Sequence, residues 1–296
     1  MNESSAVKHG GRRFGCRDVV VVAVVVCTLL FGLAIPAVRM ARDSARRTHC
    51  AMMLLQIGRG LECYHDVYDC FPPAFLPGQE GEPAHSWRVL LTPFCDCDPF
   101  YDIYDFGESW NGQGNRRLVE ERAHSGYYFH CPADPPFDGT ASYLAVVGEA
   151  TAWPGPEPRR FGDFVRGMSH SILLVEQRNS GIHWMEPRDL EFDRLDLAVQ
   201  GRSRKGSSSP GQAISSEHPK GAHALFADGS LEFLAAETSP EVLKDMLVIG
   251  GEEAKIPLGT RKRFRLVDLP PSETDLKGGP LKVESYTLDE TPDPSQ

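Results

Sequence analysis

The sequence predicts an α+β protein in which one long N-terminal helix begins in a membrane and continues into a β-containing head. Three observations carry this. Val19 to Val38 is a charge-free apolar run. Leu54, Ile57, Leu61, Tyr64 and Tyr68 then recur at spacings of three and four, the stripe of an amphipathic helix. Beyond Pro73 the pattern changes to short apolar runs, with an Asp-Gly turn between two of them.

The apolar run reaches about 20 residues, the length that crosses hydrocarbon as a helix. A bilayer forces backbone hydrogen bonds inward, which favours helix even for a Val-rich segment. A signal peptide has an apolar region of roughly 7–15 residues and a small-residue cleavage site. Here Arg39-Met40-Ala41-Arg42 follows directly, so the reading is an uncleaved single-pass anchor. Lys8, Arg12, Arg13 and Arg17 precede the span, and Arg39, Arg42, Arg46 and Arg47 follow it. The tie leaves orientation unsettled by basic residues.

The remaining boundaries follow in chain order. Residues 1–18 form a leader and 19–38 the span. The helix runs on to about residue 69 and ends before Phe71-Pro72-Pro73, because the residue before proline avoids helical geometry. A helix from 19 to 69 would be about 75 Å long. Residues 39–253 form the head. Ser142–Val147 and Ser171–Glu176 read as buried strands. Asp228-Gly229 suits a type I′ turn, which would set Phe226 opposite Leu231 and Ala224 opposite Phe233. Ser239-Pro240-Glu241 opens a helix as N-cap, first-turn proline and acid, continuing to about Val248. Gly201–Gln212 is a Gly/Ser-rich basic loop. Residues 254–296 are an extension; from Pro270 it holds five prolines and six acids and reads as largely disordered.

Composition excludes some classes. Over 296 residues the formal charge is −10, with a pI near 5.5 and mean hydropathy of −0.31. That argues against a general nucleic-acid coat and against a multi-span membrane protein. Cys50, Cys63, Cys70, Cys95, Cys97 and Cys131 lie beyond the span, which suits a translocated, oxidised head.

Ile35-Pro36-Ala37-Val38, the stretch Ala41 to Cys50, Leu55-Gln56-Ile57-Gly58, Tyr64-His65-Asp66 and Phe71-Pro72-Pro73 occur in order, and His218 is followed after nine residues by Asp228-Gly229. Together these resemble the start and the naming motif of one large planctomycete family of prepilin-like, or H-x9-DG, proteins, whose domain is of unknown function. HSWRVLLTPF from His85, YDFGESWNG from Tyr104, Cys131-Pro132-Ala133-Asp134, SYLAVVGEATAWPG from Ser142 and GIHWMEPRDL from Gly181 extend the match to about residues 19–253.

The resemblance implies a type IV pilin-like architecture, a long N-terminal transmembrane helix packed on an antiparallel β-sheet head, with the N-terminus in the cytoplasm, a single span in the inner membrane and the head outside. It also implies relation to type II secretion pseudopilins. The partners expected are therefore the inner membrane, similar chains or secretion machinery, with homo-oligomers through the N-terminal helix and no nucleic acid. The function expected is non-enzymatic assembly; the alternative is a tethered binding module for a small molecule or polysaccharide. Cys50 and Cys131 sit in two of the family-like motifs and are the guessed disulfide. Calcium is a candidate cofactor only by analogy with some pseudopilins, and it needs six to eight oxygens.

Other constellations have plainer readings. His218 and His223 with Asp228 suggest a metal site, but Pro219-Lys220-Gly221 rules out a shared helical face, and packing near the hairpin is the simpler role. Cys95-Asp96-Cys97 lacks the two-residue spacer of zinc and thioredoxin motifs. Asp189, Glu191, Asp193 and Asp196 read as a solvated acidic face rather than a paired-carboxylate hydrolase. His183-Trp184 offers a possible ligand platform, against a packed aromatic. No nucleophile-elbow, zincin or Walker motif is present in the sequence.

Family members carry a prepilin-peptidase site such as Gly-Phe-Thr-Leu-Val-Glu. Here Gly15-Cys16 occupies the cut, but Val20 stands where the Glu belongs. That Glu neutralises a neighbour's new N-terminal amine inside the membrane. The leader is therefore expected to remain attached. Intact-mass analysis of purified membrane protein should show residues 1–15 present; a chain starting at Cys16 overturns this.

Overall fold

In a computed structural model, the structure describes residues 16–95, 100–121, 125–201 and 212–251, plus the strand backbones 262–267 and 282–287. The leader and Gly15 lie outside them, as do Cys97 and most of the basic loop. The chain divides into two units, Met1–Ala45 and Arg46–Gln296.

Helix α1 spans Cys16–Tyr68 with Pro36 inside it. It ends where Asp69 adopts a left-handed φ of 56° and donates its N–H to the His65 carbonyl, one turn before the prolines. In the first unit the helix is long and apolar enough to cross a membrane. Its most apolar window has mean hydropathy 2.1 and nothing buried, and Leu29, Phe31 and Leu33 are each more than half exposed.

In the second unit the helix becomes core. Cys50, Leu54, Ile57 and Leu61 are fully buried. Tyr68 leaves the expected stripe: it is exposed, and His65 takes the inward position at the helix end. The His65 ring stacks on Phe161 at 3.4 Å.

After α1 come β1 (Phe75–Pro77), β2 (Pro83–Ser86), α2 (Trp87–Leu91), α3 (Phe100–Ile103) and α4 (Gln113–Glu121). Then follow β3 (Tyr143–Val147), β4 (Ile172–Glu176), β5 (Leu190–Glu191), β6 (Asp196–Gln200), β7 (Ala213–Ser215), β8 (Gly221–Phe226), β9 (Leu231–Ala235), α5 (Pro240–Leu247), β10 (Lys262–Val267) and β11 (Lys282–Thr287). The main sheet has the order β11-β10-β9-β8-β4-β3-β5. Its pairs are antiparallel except β3 with β5, and the separate β6–β7 pair is also parallel. The sheet is thus mixed, where the pilin-like reading expected an antiparallel one. Those two short pairs join segments too far apart in the chain for a hairpin to dictate their direction. The Ser239-capped helix forms as expected, with the Ser239 side chain accepting from Val242 N–H.

Two expectations are corrected. The β8–β9 hairpin is one residue out of the expected register. Leu225 faces Leu231 and His223 faces Phe233. Only Gly229 has a positive φ, 74°, whereas a type I′ turn needs two such residues. Asp228 Oδ1 accepts from the Ser230 N–H at 3.0 Å and from its hydroxyl. Gly229 N–H donates to the Phe226 carbonyl at 3.0 Å. The result is a three-residue loop with a glycine bulge. Second, the extension read as tail contributes β11, paired with β10 over six residue pairs from Lys262↔Thr287 to Val267↔Lys282; the rest of it lies outside the described residues. A β-branched and aromatic hexamer can add to an open sheet edge even inside a Pro-rich stretch.

Among the described residues, the most deeply buried ion pair is Arg88 with Asp189, whose side chains are 0% and 2% exposed. Asp189 also accepts from Ala145 N–H at 2.8 Å and Trp87 Nε1 at 3.1 Å. Arg88 donates to the Tyr143 carbonyl and to Ser86 Oγ. Asp189 therefore leaves the solvated acidic face expected for it; its charge is neutralised in the core by a residue about a hundred positions away. Arg88→Ala should lower stability by roughly 3–5 kcal/mol, because it strands a buried carboxylate. Arg88→Met with Asp189→Leu should lose less. Urea denaturation of both proteins checks the order.

Candidate functional site

The main polar cluster is assembled from five segments. Glu176 ends β4, and its side chain is 2% exposed. The Cys50 sulfur, from α1, lies 2.9 Å from Glu176 Oε1 and 3.0 Å from the Tyr143 hydroxyl. That hydroxyl donates to the Cys50 carbonyl at 3.2 Å. Cys50 is disulfide-bonded to Cys131, with Cα atoms 5.3 Å apart. The guessed cysteine pair is thus joined in the structure, 81 residues apart in sequence. Closing a loop of that length removes about 4–5 kcal/mol of unfolded-state entropy in the chain-entropy account.

Two histidines complete the cluster. His218 Nε2 is 3.6 Å from Glu176 Oε1 and 3.6 Å from the Cys131 sulfur. His223, on β8, donates its backbone N–H to Glu176 Oε2 at 2.7 Å. Its Nδ1 lies 3.1 Å from the same oxygen, yet it is buried without a hydrogen bond of acceptable geometry. Phe233 covers the His223 ring at 5.0 Å, and the Arg47 guanidinium covers Phe233 at 3.4 Å. Burial alone would raise the Glu176 carboxyl, but His223 and His218 beside it hold it down to about 2. One donor atom each from Cys50, Glu176, His218 and His223 falls within 4.8 Å of all the others.

The His-x9-Asp-Gly spacing has a structural meaning. His218 lies before β8 and Asp228-Gly229 after it. Six residues of β8 span about 20 Å, so the interval measures one strand crossing. Histidine and aspartate therefore serve opposite ends of β8. His218 joins the buried cluster, and Asp228-Gly229 closes the hairpin at the other end. There a Cβ on Gly229 would meet Glu62 Oε1 at 2.2 Å. The three-residue constellation His218–His223–Asp228 does not form, and the Asp228 carboxylate is engaged within its own turn. Glu176 and Cys50 are the partners of these histidines. Nothing in their sequence spacing reveals that, since they lie on a different strand and on the helix.

Trp184 is not a ligand platform. It is 1% exposed, lies 4.9 Å from Phe100 and stacks on Phe129 at 6.0 Å. Its indole fills the space that a side chain at Gly126 would need. His183 is half-buried and stacks on Trp110 at 5.5 Å. Its Nδ1 accepts from Met185 N–H, and burial lowers its pKa.

A cleft of about 200 Å³ adjoins Ser142, lined by His130, Asp134, Asp138, Thr140 and Asn179 among others. Ser142 Oγ accepts from Cys131 N–H at 2.9 Å and donates to Asp134 Oδ2 at 2.5 Å. The cleft is thereby connected to the disulfide through one hydroxyl.

Residues 39–155 match the family model described as Protein of unknown function (DUF1559). The family resemblance drawn from the motifs is borne out over that segment. No curated protein and no solved structure matches the chain.

Burial raises the Asp134 carboxyl to about 6, against the opposing Ser142 hydrogen bond and His130. The folded chain therefore binds more protons than the unfolded one between about pH 4 and 6, and this group's contribution to stability falls as pH rises through that window. Asp134→Asn should remove that part of the slope, read from urea midpoints at several pH values.

Proposed function

We propose, from the match to a family of unknown function and the build of α1, that this chain is a non-enzymatic, single-pass, pilin-like protein of the cell envelope. In this reading it is anchored in the inner membrane with the second unit outside the cytoplasm. The observation that carries it is one 53-residue helix with two characters: apolar and unburied where it precedes Ala45, core-forming from Cys50 to Leu61. The Cys50–Cys131 disulfide supports an oxidising compartment.

Lateral assembly through the N-terminal helix falls to the first part of that helix. Leu54, Ile57 and Leu61 are committed to the chain's own core, so they do not dock sideways. The residues left for packing against similar chains or a secretion-type assembly are the exposed apolar ones before Ala45. The competing reading, a tethered binding module, draws on the cleft beside Ser142. At about 200 Å³ it falls below the roughly 300–1,000 Å³ usual for ligand sites.

Photo-cross-linking residues placed in living cells at Leu29, Leu33 and Met40 should trap protein partners from one helical face, while probes at Thr140 and Asn179 should not. Cross-links to lipid alone from all three helix positions, with a protein or glycan captured at the cleft, would favour the binding module.

A further inference from the structure

We propose that, in its dithiol state, this chain binds one divalent transition-metal ion of the zinc type through Cys50, Glu176, His218 and His223, and that the Cys50–Cys131 disulfide closes this site. This inference stands independently of the pilin-like reading.

The geometry is that of a ligand set. Zinc bonds of about 2.0–2.3 Å place tetrahedral neighbours roughly 3.3–3.7 Å apart. His218 Nε2 lies 3.6 Å from Glu176 Oε1, and His223 Nδ1 lies 3.1 Å from Glu176 Oε2. Cys50 Sγ falls within the same 4.8 Å group. Small shifts would admit an ion. The donors are two imidazoles, a carboxylate and a sulfur, which suit zinc rather than calcium.

A second observation concerns bond geometry rather than distance. His223 Nδ1 is buried and, although 3.1 Å from Glu176 Oε2, makes no hydrogen bond of acceptable geometry. A ring nitrogen left in that state costs free energy, and a metal bond would satisfy it. The Phe233 ring packs on the imidazole from outside the donor set, and the His223 backbone N–H ties its strand to Glu176, itself a donor; metal-bound histidines need such supporting contacts.

The two cysteine states are mutually exclusive. In the disulfide, Cys50 has no thiolate to offer. Reduction takes two electrons and two protons from a dithiol, which itself becomes a disulfide, and leaves thiols at Cys50 and Cys131. The Cys50 thiol then loses its proton to solvent as the metal–sulfur bond forms. Cys131 Sγ, 3.6 Å from His218 Nε2, stays alongside. When a disulfide takes two electrons from the pair and becomes a dithiol, with the Cys131 proton and one from solvent, the Cys50–Cys131 bond re-forms and the ion loses its sulfur ligand.

The test uses the full-length chain in detergent, with cobalt(II) as the spectroscopic probe and zinc as competitor. Protein reduced with a trialkylphosphine, which becomes its oxide at the expense of water, should take up one cobalt per chain and show a sulfur-to-cobalt charge-transfer band. The disulfide form should bind at least about 100-fold more weakly. Cys131→Ser, which frees Cys50 without reductant, should bind like the reduced protein. Cys50→Ser should lose the band, and His223→Ala should weaken binding by at least about 10-fold, as even loss of a supporting partner does. The proposal is overturned if reduced, folded protein takes up no stoichiometric cobalt, if the disulfide form binds equally well, or if Cys50→Ser keeps the band. A reduced chain that loses its circular dichroism and does not recover it with zinc overturns it as well.

Discussion

Burial of one face of α1 against β3, β4 and β8 is the constraint on which the second unit depends. Cys50, Leu54, Ile57 and Leu61 are fully covered. Each aliphatic side chain among them contributes about 1.5–3 kcal/mol by leaving water. The approach is close: a Cβ on Gly58 would sit 2.9 Å from the Leu225 side chain, and one on Gly60 2.8 Å from the Cys95 sulfur. Glycine at the first position lets the helix near β8, and glycine at the second lets it near the turn that follows α2, without forcing either away. The same seam carries the disulfide and the hairpin tip, where Gly229 meets Glu62.

A charged cluster sits at one end of this apolar seam. A lone carboxylate at Glu176's depth would be costly, and its surroundings supply what water would have. His223 gives a backbone N–H, two imidazoles stand within 3.6 Å, and helix, β4 and β8 all meet there. Removing any one member exposes the others to the full cost of burial. Arg88 and Asp189 repeat the logic beneath β3, linking α2 to the segment entering β5. Each polar pair joins segments far apart in sequence, so each acts as a specific tie within packing that is otherwise non-directional.

Much of the local structure was legible because local chemistry decides it. The Ser239-Pro240 cap, the stop before Pro72, the strands around Leu144 and Leu174, and the helical stripe through Leu54 and Ile57 each follow from backbone preferences or from the period of apolar residues. Where local chemistry allowed two answers, reading failed. Asp-Gly serves both a two-residue turn and a bulged three-residue loop. Asp228's bonds to Ser230 choose the second, and the register slips by one. Trp184 kept two readings, platform or packed aromatic, because an aromatic beside histidine reads the same way in both; its burial decides for packing.

The candidate site was only half visible. His218 and Asp228 announced themselves by their interval, but that interval turned out to measure a strand. The residues that matter to His218 are Glu176, Cys50 and Cys131, brought in from another strand, the helix and a loop. Sequence alone determined that a charge-free helix leads into an amphipathic one and that a β-containing body follows, because hydrophobic period and length are properties of consecutive residues. Only the tertiary structure decided which charges are buried together, since that depends on how strands and helix cross, and no spacing along the chain encodes the distance between Glu176 and Cys50.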